Sequence, residues 1–331
     1  MNGSESLSEK RIVVTGGAGF VGSHLAERLA ERASVVVADD LSNGRREWVP
    51  DDATFVRADL TDRDDVAEAI TSDVDLVCHL AASKSVDTDR PREQFESNAA
   101  MTHNVTERMR AVGVPEILFT SSSTVYGEAP RPTPEDYAPL EPISAYGASK
   151  LSDEALLSVY ANSYDLTARI VRFANVVGPR LRGAVIPDFI DKLREDPDSL
   201  RILGDGRQEK SYLHVDDCVD AICHVLAAAD SPVATFNLGT RTTTSVTRIA
   251  DVVSETMGLE PAYEYTGGER GWTGDVPKMR LSIEKLAALG WVPERSSEAA
   301  VEAATEQLLA EMSDIDGRSR SGSTERKTAS Q

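Results

Sequence analysis

"TGGAGFVGSH" (residues 15–24) lies between the apolar run Ile12-Val13-Val14 and the amphipathic "LAERLAERA". Gly16, Gly19 and Gly22 form G-x-x-G-x-x-G in the gap between an expected strand and an expected helix. Glycine in such a gap permits a tight turn, lets backbone N–H groups approach a pyrophosphate, and lets the helix pack close to the strand. The pattern alone also suits a plain packing turn, and its context decides. Asp39 stands 20 residues beyond Gly19, at the end of "SVVVAD", where an acid holds both hydroxyls of an adenosine ribose. A carboxylate there repels a 2′-phosphate, so NAD is expected over NADP, with Arg45 and Arg46 nearby as the opposing signal. Asp59 and Leu60 follow the third apolar run and are placed to meet adenine.

Working outward, apolar β-branched runs ("RIVVT", "SVVVAD", "TFVRAD", "VDLVCHLA", "EILFTSSS", "LTARIVRFAN") alternate with amphipathic stretches from Phe20, from Asp62, from about Pro91 to Val112, and from about Ala145. Strands apolar throughout and separated by helices indicate a parallel sheet covered on both faces. The expected fold is α/β: a doubly wound parallel (Rossmann) sheet with a smaller, discontinuous α/β substrate domain. Residues 1–9 read as an N-terminal tail and 10–175 as the NAD-binding domain. Residues 176–312 read mainly as the substrate-binding part, drawn from about 176–234 and 258–312, with about 235–257 returning to the sheet. Residues 313–331 lack apolar periodicity and read as a mobile tail.

The 331 residues can bury a large core. No run approaches a membrane span and the first ten residues lack an apolar signal core, so a soluble, cytoplasmic protein is expected. Cys78, Cys218 and Cys223 form no CxxC pair, and the histidines (His24, His79, His103, His214, His224) show no ligand spacing; neither a disulfide framework nor a metal site is expected. Thirty-five basic against 55 acidic residues give a net charge of −20, which argues against a nucleic-acid partner. Acids spread along the chain point to adaptation to a salty milieu. Near 1 M salt the Debye length is about 3 Å and self-repulsion is screened.

"SAYGASKL" holds Tyr146 and Lys150 at i and i+4, on one helical face a turn apart. Such a pair on a solvated helix means nothing by itself. Upstream, however, "FTSSSTVYG" carries three serines where a strand meets the carboxyl edge of the sheet, the edge along which doubly wound folds bind ligands. Free tyrosine has a pKa of about 10, so a phenolate at neutrality needs a shift of about 3 units, roughly 4 kcal/mol. A lysine cation, the helix end behind Ser144 and an oxidised nicotinamide supply parts of it. Tyr146 then serves as base toward a substrate hydroxyl while hydride leaves the same carbon.

With these motifs in this order, and with "DDLSNG", "HLAASKSV", "VRFAN" and "SYLHVDD" between and after them, the chain resembles an extended short-chain dehydrogenase/reductase. Within that superfamily it is similar to the NAD-dependent nucleotide-sugar epimerases and dehydratases, most of all the group typified by UDP-glucose 4-epimerase. The resemblance covers about residues 10–312. It implies that Phe20 and Val21 lie against the pyrophosphate and that Asp39, Asp40, Leu41, Ser42, Asn43 and Gly44 surround the adenosine ribose. It implies Leu80, Ala81 and Ala82 along the middle of the cofactor, Lys84 near nicotinamide and substrate, and Asn98 in support. Ser122 takes the catalytic hydroxyl position beside Tyr146 and Lys150, with Ser121 beside the nicotinamide. Phe173 and Asn175 close over cofactor and sugar diphosphate.

The same resemblance puts Lys210, Arg270 and Asp275 near the diphosphate and nucleotide ribose, Val185 and Leu203 around the base, and Thr124 against the sugar. Dehydratases and decarboxylases resembling this family carry acids just before "VYG", where this chain has Ser123 and Thr124. The implied reaction is therefore 4-epimerisation of a UDP-sugar, on glucose/galactose or on the glucuronate or N-acetyl counterparts, with TDP and GDP open as nucleotides. A dehydratase or reductase of the same fold is the alternative. A redox-sensing binding protein is a third reading, opposed by the presence of Tyr146, Lys150 and Ser122. The helices near 91–112 and 145–163 resemble those through which relatives pair as homodimers.

Overall fold

The computed structural model describes residues 7–84, 90–229, 231–272 and 274–328, with the side chains of the last helix described as far as Ser313. The glycine-rich stretch joins β1 (Arg11–Thr15) to α1 (Phe20–Ala30). The alternation runs on through β2 (Ser34–Asp39), β3 (Thr54–Arg57), α2 (Arg63–Ala69), β4 (Leu76–His79), α3 (Pro91–Val112), β5 (Glu116–Ser122), α4 (Ala145–Ser163) and β6 (Thr167–Phe173). Next come β7 (Asn175–Val177), α5 (Val185–Glu195), β8 (Ser199–Ile202), β9 (Glu209–Lys210), β10 (Tyr212–His214), α6 (Val215–Ala228) and β11 (Val233–Leu238). The chain closes with β12 (Thr244–Ser245), α7 (Val246–Met257), β13 (Ala262–Tyr265), β14 (Lys278–Met279), α8 (Glu284–Ala288) and α9 (Ser297–Thr328).

Seven strands make one parallel sheet in the order β3-β2-β1-β4-β5-β6-β11. Side chains of a strand alternate between faces. Ile12 and Val14 pack with Leu25 and Leu29 of α1 and Ile222 and Val225 of α6. Val13 packs on the opposite face with Val66 of α2, Val105 and Met109 of α3 and Leu157 of α4. Two covered faces explain why β1, β2 and β4 carry no polar face. The strand order reverses between β1 and β4, and the crevice at their carboxyl ends is where such sheets hold ligands.

Helix starts follow their local signals. Asp62 accepts the Asp64 N–H ahead of α2, Ser144 accepts the Gly147 N–H ahead of α4, and Pro91 opens α3. Both caps satisfy donors that a helix start otherwise leaves open.

The smaller part gathers α5, α7 and α9 around Ile186, Phe189, Ile190, Leu200, Ile249, Val253, Val301 and Leu308. Its division differs from the sequence expectation in three ways. Only β11 rejoins the main sheet; α7 turns its apolar face (Ile249, Ala250, Val253) to α5 and α9 instead. Helix α6, expected in the substrate part, lies on the main sheet because Val219, Ile222 and Val225 match the stripe of α1. The backbone from 313 on, expected as a tail, continues α9 to Thr328; Met312 is the last side chain packed against that core. Among the described residues no helix is long and apolar enough to cross a membrane.

Candidate active site

The cofactor end is built from the glycine loop. Gly16 adopts φ +66°, and a Cβ there would stand 2.7 Å from the Ala81 nitrogen. A Cβ on Gly22 would stand 2.1 Å from the Gly16 carbonyl oxygen. Any side chain would therefore separate α1 from the turn. Gly19 caps α1 without a side-chain bond, and the first turn, with Phe20 and Val21, carries no acid. Its open N–H groups and positive dipole end suit a pyrophosphate. Asp39 is buried, accepting Ala18 N–H on Oδ2 (3.0 Å) and Leu41 N–H on Oδ1 (2.8 Å), and burial pushes its carboxyl upward against those two bonds. Each oxygen keeps a lone pair for a ribose hydroxyl.

The loop of Asp40, Leu41, Ser42, Asn43 and Gly44 folds over this end: Arg45 N–H reaches the Ala18 carbonyl at 2.9 Å, and Gly44 presses on the Ala18 backbone. Leu80 N–H bonds the Thr15 carbonyl at 3.1 Å, which sets Leu80, Ala81 and Ala82 along the crevice. Asp59 is exposed and closes its own turn by accepting the Thr61 N–H and hydroxyl on Oδ1, while the Leu60 side chain enters the core. The residues present fit a dinucleotide.

At the reacting end, α4 starts against the hydroxyl segment, since a Cβ on Gly147 would stand 2.8 Å from the Thr124 carbonyl oxygen. Tyr146 is half-buried and Lys150 fully buried. The Lys150 Nζ stands 4.4 Å from the Phe119 ring centroid and 5.9 Å from that of Tyr146. Burial lowers Lys150 to about 8, with the charges of Asp153 and Glu154 opposing it. Burial raises Tyr146 to about 12, helped by the Asp153 charge. Ser122 Oγ accepts the Thr124 N–H at 3.2 Å and keeps its own proton to donate. Asn98 ties the loop after β4 to α4, accepting Ser83 N–H at 2.7 Å and donating to Ser149 Oγ at 3.0 Å.

Ser121 Oγ donates to Glu154 Oε1 at 2.5 Å, and Glu154 is buried in an ion pair with Arg172. Phe173 packs against the main core at the end of β6, and Asn175 bonds the buried Tyr212 hydroxyl.

On the substrate side, Lys210 Nζ meets Asp275 Oδ1 at 2.5 Å and stands 4.7 Å from the Trp272 ring centroid. Arg270 does not pair with the Asp275 carboxylate: it donates to the Asp275 backbone oxygen (2.8 Å) and pairs with Glu128 (2.5 Å). Lys210, at the end of the two-residue strand β9, takes that carboxylate instead. Lys84 lies open to the cleft, with enclosure by the protein and the charge of Lys210 both lowering its ammonium. Gly274 packs against Ile143 and Ser144, so the 267–275 loop overhangs the start of α4. Leu203 is exposed beside Gly271, whereas Val185 opens α5 and packs mostly into the smaller core.

Sequence reading missed Glu128, Trp272, Asp153 and the Glu154–Arg172 pair. Glu154, one residue past Asp153 and four past Lys150, was the only available hint, since an acid on the buried face of α4 calls for a partner. Residues 85 and 86, which end one of the family-like motifs, lie outside the described residues.

A dinucleotide cradle beside a buried lysine–tyrosine pair at the carboxyl edge of a doubly wound sheet defines a nicotinamide-dependent enzyme. A sequence profile of the NAD dependent epimerase/dehydratase family matches residues 12–239, and the chain belongs to that family. It is 35% identical over 299 residues to the UDP-glucose 4-epimerase of Mycolicibacterium smegmatis, covering 86% of this chain and 94% of that one. It is likewise 35% identical over 300 residues to UDP-glucuronic acid decarboxylase 2 of Arabidopsis thaliana, covering 86% of this chain and 65% of that one. A solved UDP-galactose 4-epimerase superposes with a TM-score of 0.84 at 43% identity, over 91% of this chain and 99% of that one.

Proposed function

We propose that this chain is a UDP-sugar 4-epimerase, interconverting UDP-glucose and UDP-galactose. The observation that carries this reading is the pair of hydroxyl residues Ser123 and Thr124 in the turn just after β5. Thr124 Oγ1 is buried without a hydrogen-bond partner among the described residues. A dehydratase or decarboxylase needs an acid/base near the sugar's C5 and C6, and these two positions offer none.

NAD, which the turn of Gly16, Gly19 and Gly22 and the Asp39 carboxylate would hold, would supply the hydride acceptor for C4 of the sugar. Tyr146 takes the C4 hydroxyl proton and gives it back. Lys150 supplies the cation that favours its phenolate. Ser122 donates to the C4 oxygen and Thr124 meets the sugar, while Lys84, Lys210 and Arg270 face the diphosphate. Asp275 orders Lys210, and Leu203 offers an apolar surface to the base. Supporting the 4-epimerase over the decarboxylase reading, the two enzyme names occur at equal identity, but the named epimerase is covered almost end to end.

Helices α3 and α4 pack side by side, with Val159 of α4 and Tyr164 just past its end each 53% exposed, and we read that face as the surface of a homodimer.

Proton NMR of the anomeric region tests the function. Protein in molar potassium chloride with NAD is given UDP-glucose, UDP-glucuronate and UDP-N-acetylglucosamine separately. A galacto product rising to a fixed ratio with UDP-glucose is expected. The same outcome with another sugar reassigns the substrate, a 4-keto product overturns epimerisation, and silence in all three overturns the UDP assignment.

A further inference from the structure

Beneath the tyrosine–lysine pair runs a line of buried polar groups contributed by four elements. Thr15 of β1 stands 2.7 Å from His79 Nδ1, and His79 Nε2 stands 3.2 Å from Thr102 Oγ1 of α3. Burial raises the Asp153 carboxyl of α4 to about 7, against the Lys150 charge and the Thr102 hydroxyl, which both favour its ionised form. Burial drives His79 down to about 3, so the ring is neutral and carries one proton. With Asp153 ionised the carboxylate fixes the direction, because it can only accept: it takes the Thr102 proton, so Thr102 accepts from Nε2–H and Nδ1 is left as an acceptor. Thr15 Oγ1 accepts the Ala81 N–H at 3.4 Å and donates to Nδ1. Every donor in the line points toward that carboxylate, and such aligned chains polarise one another.

Asp153 is 1% exposed, and its Oδ2 has no hydrogen-bond partner among the described residues. A buried anion left uncompensated is costly. The compensating charge is one helical turn back, on Lys150, itself 2% exposed. The other ionisable groups around the two are accounted for. Glu154 is held by Arg172 of β6 (2.6 and 2.9 Å), His79 of β4 is neutral, and Tyr146 lies two turns from Asp153 but one from Lys150. From α3 come Thr102 and Asn98, neither of which titrates at neutrality.

We propose that Asp153 is a positioning residue, the interior counter-ion that holds the Lys150 ammonium charged beneath Tyr146, oriented by the donor line Thr15–His79–Thr102. The proposal rests on the reading of Tyr146 and Lys150 as the reacting pair. The carboxylate opposes phenolate formation at Tyr146 as well, but from twice the distance along the helix, so its hold on Lys150 dominates. The neutral, sealed arrangement suits a reaction whose proton leaves and returns to the same sugar oxygen.

The test reads Lys150 directly. In NAD-loaded protein made with 13C-lysine, the Lys150 Cε resonance, assigned by its absence in Lys150→Arg, reports protonation across a pH titration. Asp153→Asn is expected to lower the Lys150 midpoint at least tenfold in proton affinity, and Thr102→Val to lower it by less, with NAD content unchanged. The alkaline limb of kcat should move to lower pH by the same factor. An unmoved midpoint in Asp153→Asn overturns the proposal, and so does a moved midpoint with an unmoved alkaline limb. Should Asp153→Asn fail to fold, an unmoved midpoint in Thr102→Val overturns it instead. A shifted midpoint in protein that turns over none of the UDP-sugars supports the counter-ion and overturns the proposed function, so the two readings fail separately.

Discussion

Tyr146 at about 12 sits farther from a working base than free tyrosine. Burial that excludes water also disfavours the phenolate, so the cations must recover more than the three units free tyrosine would need. Lys150 is one cation and the oxidised cofactor the other. Removing only the hydroxyl, in Tyr146→Phe, is expected to lower turnover by at least about 10³-fold, the upper part of what a single acid–base group contributes. NAD content by absorbance should stay near stoichiometric, and surviving turnover would refute the assigned base. At the opposite end of the cleft, Gly22→Ala puts a methyl 2.1 Å from the Gly16 oxygen. We expect a destabilisation of about 1–3 kcal/mol in urea together with loss of bound NAD. Unchanged NAD affinity would mean that α1 does not serve the pyrophosphate.

Among the elements, α4 carries both the reacting pair and the buried charges beneath it, and its two faces were unequally legible. Tyr146 and Lys150 were readable because their i, i+4 spacing is chemistry the helix itself imposes. Asp153 and Glu154 were not, because their partners Thr102 and Arg172 come from α3 and β6, far away in sequence. The glycine turn, the ribose acid and the α3 boundaries were equally plain, since each is set by neighbours within a turn or a strand. The contacts of Arg270 were hidden for the same reason as those of Asp153 and Glu154: it pairs with Glu128, and Lys210 of β9 takes the Asp275 carboxylate. The Glu154–Arg172 pair should be worth more than any surface pair in this chain. Arg172→Met leaves the Glu154 charge buried with Ser121 alone, and a loss of about 3–5 kcal/mol in chemical denaturation is expected. A loss under 1 kcal/mol would show that the carboxyl is protonated or hydrated instead.

For the whole molecule, −20 is distributed over a surface whose ion pairs are mostly exposed, such as Arg92–Glu96 and Arg241–Glu284. Such pairs contribute little singly, so they do not offset the excess of carboxylates, and screening by salt must. Raising potassium chloride from 0.1 M to 2 M is expected to raise the thermal unfolding midpoint by about 5 °C, equivalent to roughly 2 kcal/mol. A flat or falling midpoint would remove salt adaptation as the reason for the acidity. The division of the chain into two parts was less legible than its charge. Helices α6 and α7 are both amphipathic, and the core that receives each is built from residues far away in sequence.

The place of β11 also bears on how the chain is made. Strand β6 ends at Phe173, yet the strand that covers its outer edge begins only at Val233. While the polypeptide emerges from the ribosome, β7 to β10 with α5 and α6 must appear before that edge can be closed. Until then β6 presents an apolar row of unpaired N–H and C=O groups, the template on which nascent chains stick to one another. Chains released before Val233 should therefore be found in the insoluble fraction, however good their glycine turn and their tyrosine–lysine pair.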